Sequence, residues 1–338
     1  LYSAAKFIDS KMVTSSTPFK VIGLDAQINK KSDKRRLVIF VIGETVRRDH
    51  MSINGYSLQT NPYLEKEDII SFKNLTSCGT DTAWSVPCMF SLLGRDKYSH
   101  EKGKNMSNIL DLISHAGASV IWYENNSSSK SVADRIAFED YRTSEQNSIC
   151  NPECRDEGML VNIQSYIDDQ NDKDTLIILH TMGSHGPAYY KRYPKEFEVF
   201  VPVCKTSQLN ECNDQEISNA YDNTILYADY FLSKVIGLLK RNSQELDTAM
   251  FYVSDHGESL GENGLYLHGM PYFMAPDEQI DVPALMWLNE SISKVFDVES
   301  IKKKEDLPLS HDNLFHTLLG LMDVETKLYD KSLDLMAK

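Results

Sequence analysis

A chain of 338 residues that is 41% hydrophobic can bury a full-sized core, in one large α/β domain or in two smaller ones. Its formal net charge of −14 excludes nucleic acid binding by general electrostatic attraction and makes an anionic membrane surface repulsive. An anionic substrate therefore needs a local source of positive charge, and a divalent cation is the simplest.

At the N-terminus, Leu1, Ala4, Ala5, Ile8 and Met12 share one helical face. The stretch 13–33 is polar and aperiodic, and Lys30, Lys31, Lys34, Arg35 and Arg36 cluster at its end. Residues 1–33 are expected to be a tether leading into a domain over residues 34–338. The chain begins with Leu1 and has no visible signal peptide and no apolar run long enough to span a bilayer, so it reads as a piece cut from a longer precursor.

Four short apolar runs come next, at residues 37–42 (LVIFVI), 119–123 (SVIWY), 175–179 (TLIIL) and 249–253 (AMFYV). Each has the length and the β-branched or aromatic content of a buried strand. Residues 283–288 (PALMWL) read as a fifth strand. Helical stripes lie between them: Met106, Ile109, Leu110 and Ile113, ended by Gly117; Met159, Leu160, Ile163, Tyr166 and Ile167; a long helix over about 214–241; and a last helix capped by Ser310 that carries Leu314, Phe315, Leu318 and Leu319. Strands alternating with helices predict an α/β fold with a largely parallel sheet.

Six cysteines fall into three close pairs, Cys78/Cys88, Cys150/Cys154 and Cys204/Cys212. Fifteen connectivities are possible, but local spacing favours disulfides between neighbours, hence an oxidising compartment. A zinc site at Cys150 and Cys154 is the rival, without a second C-x-x-C or a nearby histidine pair to complete it. The first pair brackets TSCGTDTAWSVPCMF, where Thr80, Asp81 and Thr82 stand in a row. Pro87 suits a first helical turn, so a helix is expected to start there, with Thr82 at or just ahead of its N-terminus.

The residues that succeed each strand decide the chemistry. The first strand runs into Glu44, the second into Asn125 and Asn126 with Lys130 behind, the third into His180 and His185, the fourth into Asp255 and His256. Ligands of open α/β sheets bind beyond the carboxyl ends of the strands. Glu44, Asp255, His256 and the Thr82 oxygen form an O,O,N,O set suited to tetrahedral zinc, and zinc lowers the pKa of a bound hydroxyl enough to make Thr82 a nucleophile. Taken singly, Glu44 or Asp255 is an ordinary strand-end carboxylate. His185 and His268 lie beside glycines and could hold phosphate oxygens or a second metal; Lys130 and Asn126 suit a phosphate clamp. The motif GESLG matches a serine-hydrolase elbow at Ser259, but Asp255 and His256 separate it from the strand, and Glu262, Asn263 and Gly264 come after it in place of a helix. An esterase reading is rejected.

The runs VIGETVRRDHMSINGY, TSCGTDTAWSVPCMFS, GSHGPAYYKRY and YVSDHGESLGENGLYLHGMP resemble the periplasmic catalytic domain of the phosphoethanolamine transferases that modify lipid A, including the mobile colistin-resistance enzymes. The resemblance extends from about Tyr2 to the C-terminal helix. It implies an alkaline phosphatase/sulfatase-like α/β sandwich, a central mostly parallel sheet with helices on both faces. It also implies Thr82 as nucleophile, with Glu44, Asp255 and His256 as its zinc partners. Lys130, Asn126, His185 and His268 fall around the substrate phosphate, and His180 lies near the site. Lys97 stands where some relatives carry a glutamate that reaches a further zinc, so one tight zinc site is expected.

The implied activity transfers phosphoethanolamine from phosphatidylethanolamine to a lipid A phosphate through a phosphorylated threonine, giving resistance to polymyxin. A preceding membrane domain would anchor a monomer at the periplasmic face of the inner membrane. Alternatives are transfer of phosphoglycerol, transfer to another envelope acceptor, and a non-catalytic metal-binding module.

Overall fold

The computed structural model describes residues 18–170 and 172–338. The helical stripe expected over residues 1–12 lies outside the described residues. From residue 18 the chain packs against the body: Lys20 N–H bonds Asn105 O at 2.7 Å, and residues Gln27–Ile28 pair with Val324–Glu325.

The centre is an eight-stranded sheet. In chain order its strands are β1 (Arg35–Gly43), β2 (Ile69–Thr76), β3 (Ser119–Glu124), β4 (Ala137–Asp140), β5 (Thr175–His180), β6 (Leu246–Ser254), β7 (Asp281–Leu288) and β8 (Leu309–Ser310). They lie in the spatial order β8-β2-β7-β6-β1-β5-β3-β4. β7 runs antiparallel to both neighbours and every other pairing is parallel, so seven strands point their carboxyl ends to one edge.

Both faces of the sheet are covered, which explains why the central strands read as unbroken apolar runs instead of alternating ones. On β1, Val38, Phe40 and Ile42 enter one core. That core is closed by Val86 and Met89 of α1 (Thr82–Met89), Ile109 and Ile113 of α2 (Ile109–His115), and Leu314 and Leu318 of α5 (Asp312–Leu321). Leu37, Ile39 and Val41 enter the other, against Ile163 and Ile167 of α3 (Ile163–Asp169) and Ile217, Ile225 and Leu239 of α4 (Asp214–Asn242). The sandwich expected from the sequence is present, and α4 matches its predicted span to within a residue or two.

Several local readings are corrected. Pro87 does not start a helix: α1 begins at Thr82, capped by the Asp81 carboxylate accepting Trp84 N–H at 2.8 Å, and Pro87 lies inside it. At Pro87 the helix forgoes the backbone hydrogen bond to the Ala83 carbonyl, and it ends two residues later at Met89. Ser310 is not the cap position of α5; it ends β8, and His311 occupies that place. Met106 precedes α2, whose cap is Asn108 in a capping box with Asp111. Met159 and Leu160 belong to a 3-10 turn (Asp156–Leu160) separate from α3. The three disulfides join the neighbouring pairs Cys78–Cys88, Cys150–Cys154 and Cys204–Cys212.

Candidate active site

β1, β6 and the loop after β2 end side by side, and their next residues meet. Glu44 leaves β1 through a kink in which Thr45 adopts φ +55°, a costly conformation for a β-branched residue. The kink is over-determined: Tyr221 donates to Thr45 O at 2.6 Å, and Thr45 N–H bonds Asp255 Oδ1 at 3.2 Å. Gly43 is required there, since a Cβ would sit 2.3 Å from the Tyr252 hydroxyl. Asp255 N–H bonds Gly43 O at 2.9 Å, which locks the ends of β1 and β6 together.

Thr82 Oγ1 lies 2.9 Å from Glu44 Oε2 and 3.3 Å from His256 Nε2. His256 Nε2 is 3.4 Å from Glu44 Oε1 and 3.4 Å from Asp255 Oδ2. Glu44, Asp255 and His256 are wholly buried, and Glu44 Oε1 and Asp255 Oδ2 have no hydrogen-bond partner. Two buried carboxylate oxygens without donors are costly unless a cation answers them. A tetrahedron with metal–ligand bonds of about 2.0 Å has edges of about 3.3 Å, so the spacing of these donors fits one small ion.

The electrostatics agree with the geometry. Burial opposes charge on Glu44, but the charge of His256, whose Nε2 lies 3.4 Å away, prevails and holds it well below the usual carboxylate range. Burial, reinforced by the Glu44 charge, pushes Asp255 up to about 6. Burial opposes the charged form of His256 too, yet Asp255 and Glu44 raise it to about 10. The cluster therefore gathers a positive charge at its centre, as a proton or as a metal ion that displaces it.

A sulfatase family model matches residues 36–324. Phosphatidylethanolamine transferase Mcr-2 of Escherichia coli is 47% identical over 336 residues, covering 96% of this chain and 61% of its own length. The crystal structure of the soluble domain of lipooligosaccharide phosphoethanolamine transferase A from Neisseria meningitidis superposes with a TM-score of 0.91 at 41% identity, covering 96% of this chain and 98% of that one. This chain belongs to the sulfatase family, and the relatives it resembles there are named as phosphoethanolamine transferases. The integral membrane form of the Neisseria enzyme superposes with a TM-score of 0.93 at 40% identity, covering 99% of this chain and 63% of that one. The chain thus spans about three-fifths of the length of the curated relative it matches. No helix among the described residues is long and apolar enough to cross a membrane.

Within this family fold the remaining predicted residues separate into groups. His268 leans against His256 with ring centroids 4.3 Å apart and planes tilted by 48°, and the His185 ring lies 5.8 Å from that of His268. Asn126 spends its amide N–H groups on Glu44 Oε2 at 2.5 Å and Thr181 O at 2.9 Å, so it braces Glu44. His180 is buried behind the site, its Nδ1 3.0 Å from Glu124 and its Nε2 without a partner. Burial opposes its charged form, and Glu124 raises its pKa nonetheless. The Lys130 ammonium rests on Ser127 Oγ at 2.6 Å and lines a cavity of about 260 Å³ with Ala83, Pro87 and Lys104. Ser259 is buried, its Oγ accepting from Gln279 at 2.9 Å, and what succeeds it is a single 3-10 turn (Glu262–Gly264) where a serine-hydrolase elbow needs an α-helix.

Other residues went unread in the sequence. Glu258 is buried and binds His268 Nδ1 at 2.7 Å and the Tyr189 hydroxyl at 2.6 Å. His311 joins the nucleophile loop to β6, with Nδ1 3.0 Å from Cys78 N and Nε2 3.0 Å from Ser254 O. Ser85 Oγ donates to Asp255 O at 2.5 Å. Only Glu258 left a signal, as a third polar residue in DHGE directly after a strand.

Proposed function

We propose that the chain is the catalytic part of a zinc-dependent transferase that moves phosphoethanolamine from phosphatidylethanolamine to a lipid A phosphate. The full protein would work from the periplasmic face of the inner membrane as a monomer, and its product would lower the affinity of the envelope for polymyxin. One observation carries the reading: three buried ionisable side chains from β1 and β6 converge on the hydroxyl at the first turn of α1.

Glu44, Asp255, His256 and Thr82 are the residues that would hold the zinc, whose bound charge lowers the pKa of the hydroxyl and draws density from phosphoryl oxygens. Thr82 Oγ1 attacks the phosphorus of the donor. A Thr82 O–P bond forms, the P–O bond to diacylglycerol breaks, and the hydroxyl proton, held initially toward Glu44 Oε2, is returned to the leaving alkoxide. A lipid A phosphate oxygen then attacks the same phosphorus and releases Thr82. Thr82 stands at the first turn of α1, where unpaired backbone N–H groups favour an anion. Asn126 fixes Glu44, while His185, His268 and Lys130 surround the phosphoryl group and offset its charge.

The test is a mass map of the chain after incubation with zinc and labelled phosphatidylethanolamine. Phosphoethanolamine on the Thr82 peptide, absent in Thr82→Ala, supports the reading. An adduct on Thr80 or Ser259, or none with folded zinc-loaded protein, overturns it.

A further inference from the structure

Two strongly exposed apolar side chains stand together on a turn next to the nucleophile loop. Phe273 is 89% exposed and Met274 56%, in a turn (Tyr272–Met274) between Pro271 and Pro276. The turn is fastened to the loop that carries Thr82. Gly269 N–H donates to Thr80 O at 2.8 Å, Thr80 Oγ1 donates to Met270 O at 2.6 Å, and the Tyr272 hydroxyl donates to Ser77 O at 2.9 Å. Arg95 lies over the Tyr272 ring, 4.5 Å from its centre. Between turn and loop opens a cavity of about 310 Å³, lined by Gly79, Thr80, Asp81, Trp84, Arg95 and Tyr272.

The residues 269–276 (GMPYFMAP) carry no charged side chain, on a chain whose net charge is −14. Such a tip is repelled less than the rest of the molecule by a lipid surface, and it suits zwitterionic headgroups better than anionic ones. Exposed apolar side chains held on a rigid turn lose little conformational entropy on burial. We propose that Phe273 and Met274 insert into a bilayer rich in zwitterionic phospholipid and hold the cavity mouth at headgroup level. The donor then reaches the loop that carries Thr82 without leaving the membrane. This contact rests on the reading of the donor as phosphatidylethanolamine.

All six cysteines are paired, so Phe273→Cys adds a single position for an environment-sensitive fluorophore. Vesicles of phosphatidylcholine and phosphatidylethanolamine should blue-shift its emission, and brominated acyl chains should quench it. The same dye on Glu245→Cys, exposed just ahead of β6 at the opposite edge of the sheet, should not respond. The double variant Phe273→Ser/Met274→Ser should slow transfer from vesicle-embedded donor about tenfold and leave transfer from dissolved short-chain donor unchanged.

Emission indifferent to vesicles, while the unmodified chain still forms the Thr82 adduct, overturns the bilayer contact and leaves the transferase reading intact. Equal slowing with both donors overturns it too, because the turn then acts inside the site. A dye shielded before vesicles are added shows that protein covers the tip, with the same consequence. Absence of any Thr82 adduct with dissolved donor instead sinks the transferase reading, and the fluorescence response still decides the membrane contact.

Discussion

Replacing His311 with glutamine should change how the fold responds to acid. The ring is buried, Nε2 donates to Ser254 O and Nδ1 accepts from Cys78 N–H, so both nitrogens are satisfied only in the neutral form. A second proton would set two donors against each other at Nδ1. Burial pushes the pKa down to about 3, with the Ser254 carbonyl opposing and the charge of His256 assisting. A group whose folded pKa is depressed stabilises the fold above its unfolded pKa, and that stability is lost as pH falls toward the folded value.

With about 6.5 for the unfolded chain, acidification from pH 6.5 to 4.5 costs about 2 kcal/mol through this residue alone. His311→Gln keeps an acceptor for Cys78 N–H and a donor for Ser254 O but no longer titrates. Urea unfolding of both proteins in chelator across this range isolates the residue, since every other group titrates in both. The variant should be the less stable at pH 6.5, and its deficit should shrink by about 2 kcal/mol at pH 4.5. A deficit independent of pH would refute the assignment of a dry, neutral imidazole linking the nucleophile loop to β6.

Asn126→Leu removes the amide donor on Glu44, and metal affinity read by chelator competition should fall about 10–100-fold. Glu124→Leu takes the acceptor from His180, the Trp122 indole N–H and Asn126 N–H in a wholly buried position, and should destabilise the fold by about 3–5 kcal/mol in urea. Lys130→Met should lower turnover by about 100-fold with zinc content unchanged, measured on labelled donor and by metal analysis.

The sheet was legible because its central strands are buried on both faces: 37–42, 119–123, 175–179 and 249–253 are apolar without alternation, and each ends in a residue able to bind metal or phosphate. β2 was missed because Lys73 and Asn74 break its apolar run, and β4 because Glu139 and Asp140 make half of it acidic. The reversed direction of β7 leaves no mark in a strand's own composition. Pro87 misled because a proline tolerated near the end of a short helix looks the same in sequence as one that starts it. Glu44, Asp255 and His256 could be found by their position after strands, whereas His311 and Glu124 act through contacts with distant parts of the chain. A single histidine at a helix start and a carboxylate inside a strand carry no spacing that betrays such partners.

In the proposed mechanism a cation gripped by Glu44, Asp255 and His256 makes the Thr82 hydroxyl reactive. Mass mapping of the Thr82 peptide tests it most directly, with the metal-stripped chain incubated with phosphatidylethanolamine before and after one equivalent of zinc is returned. Phosphoethanolamine on Thr82 only after zinc is restored is the predicted result. Equal modification of Thr82 in the stripped and restored chains would contradict it.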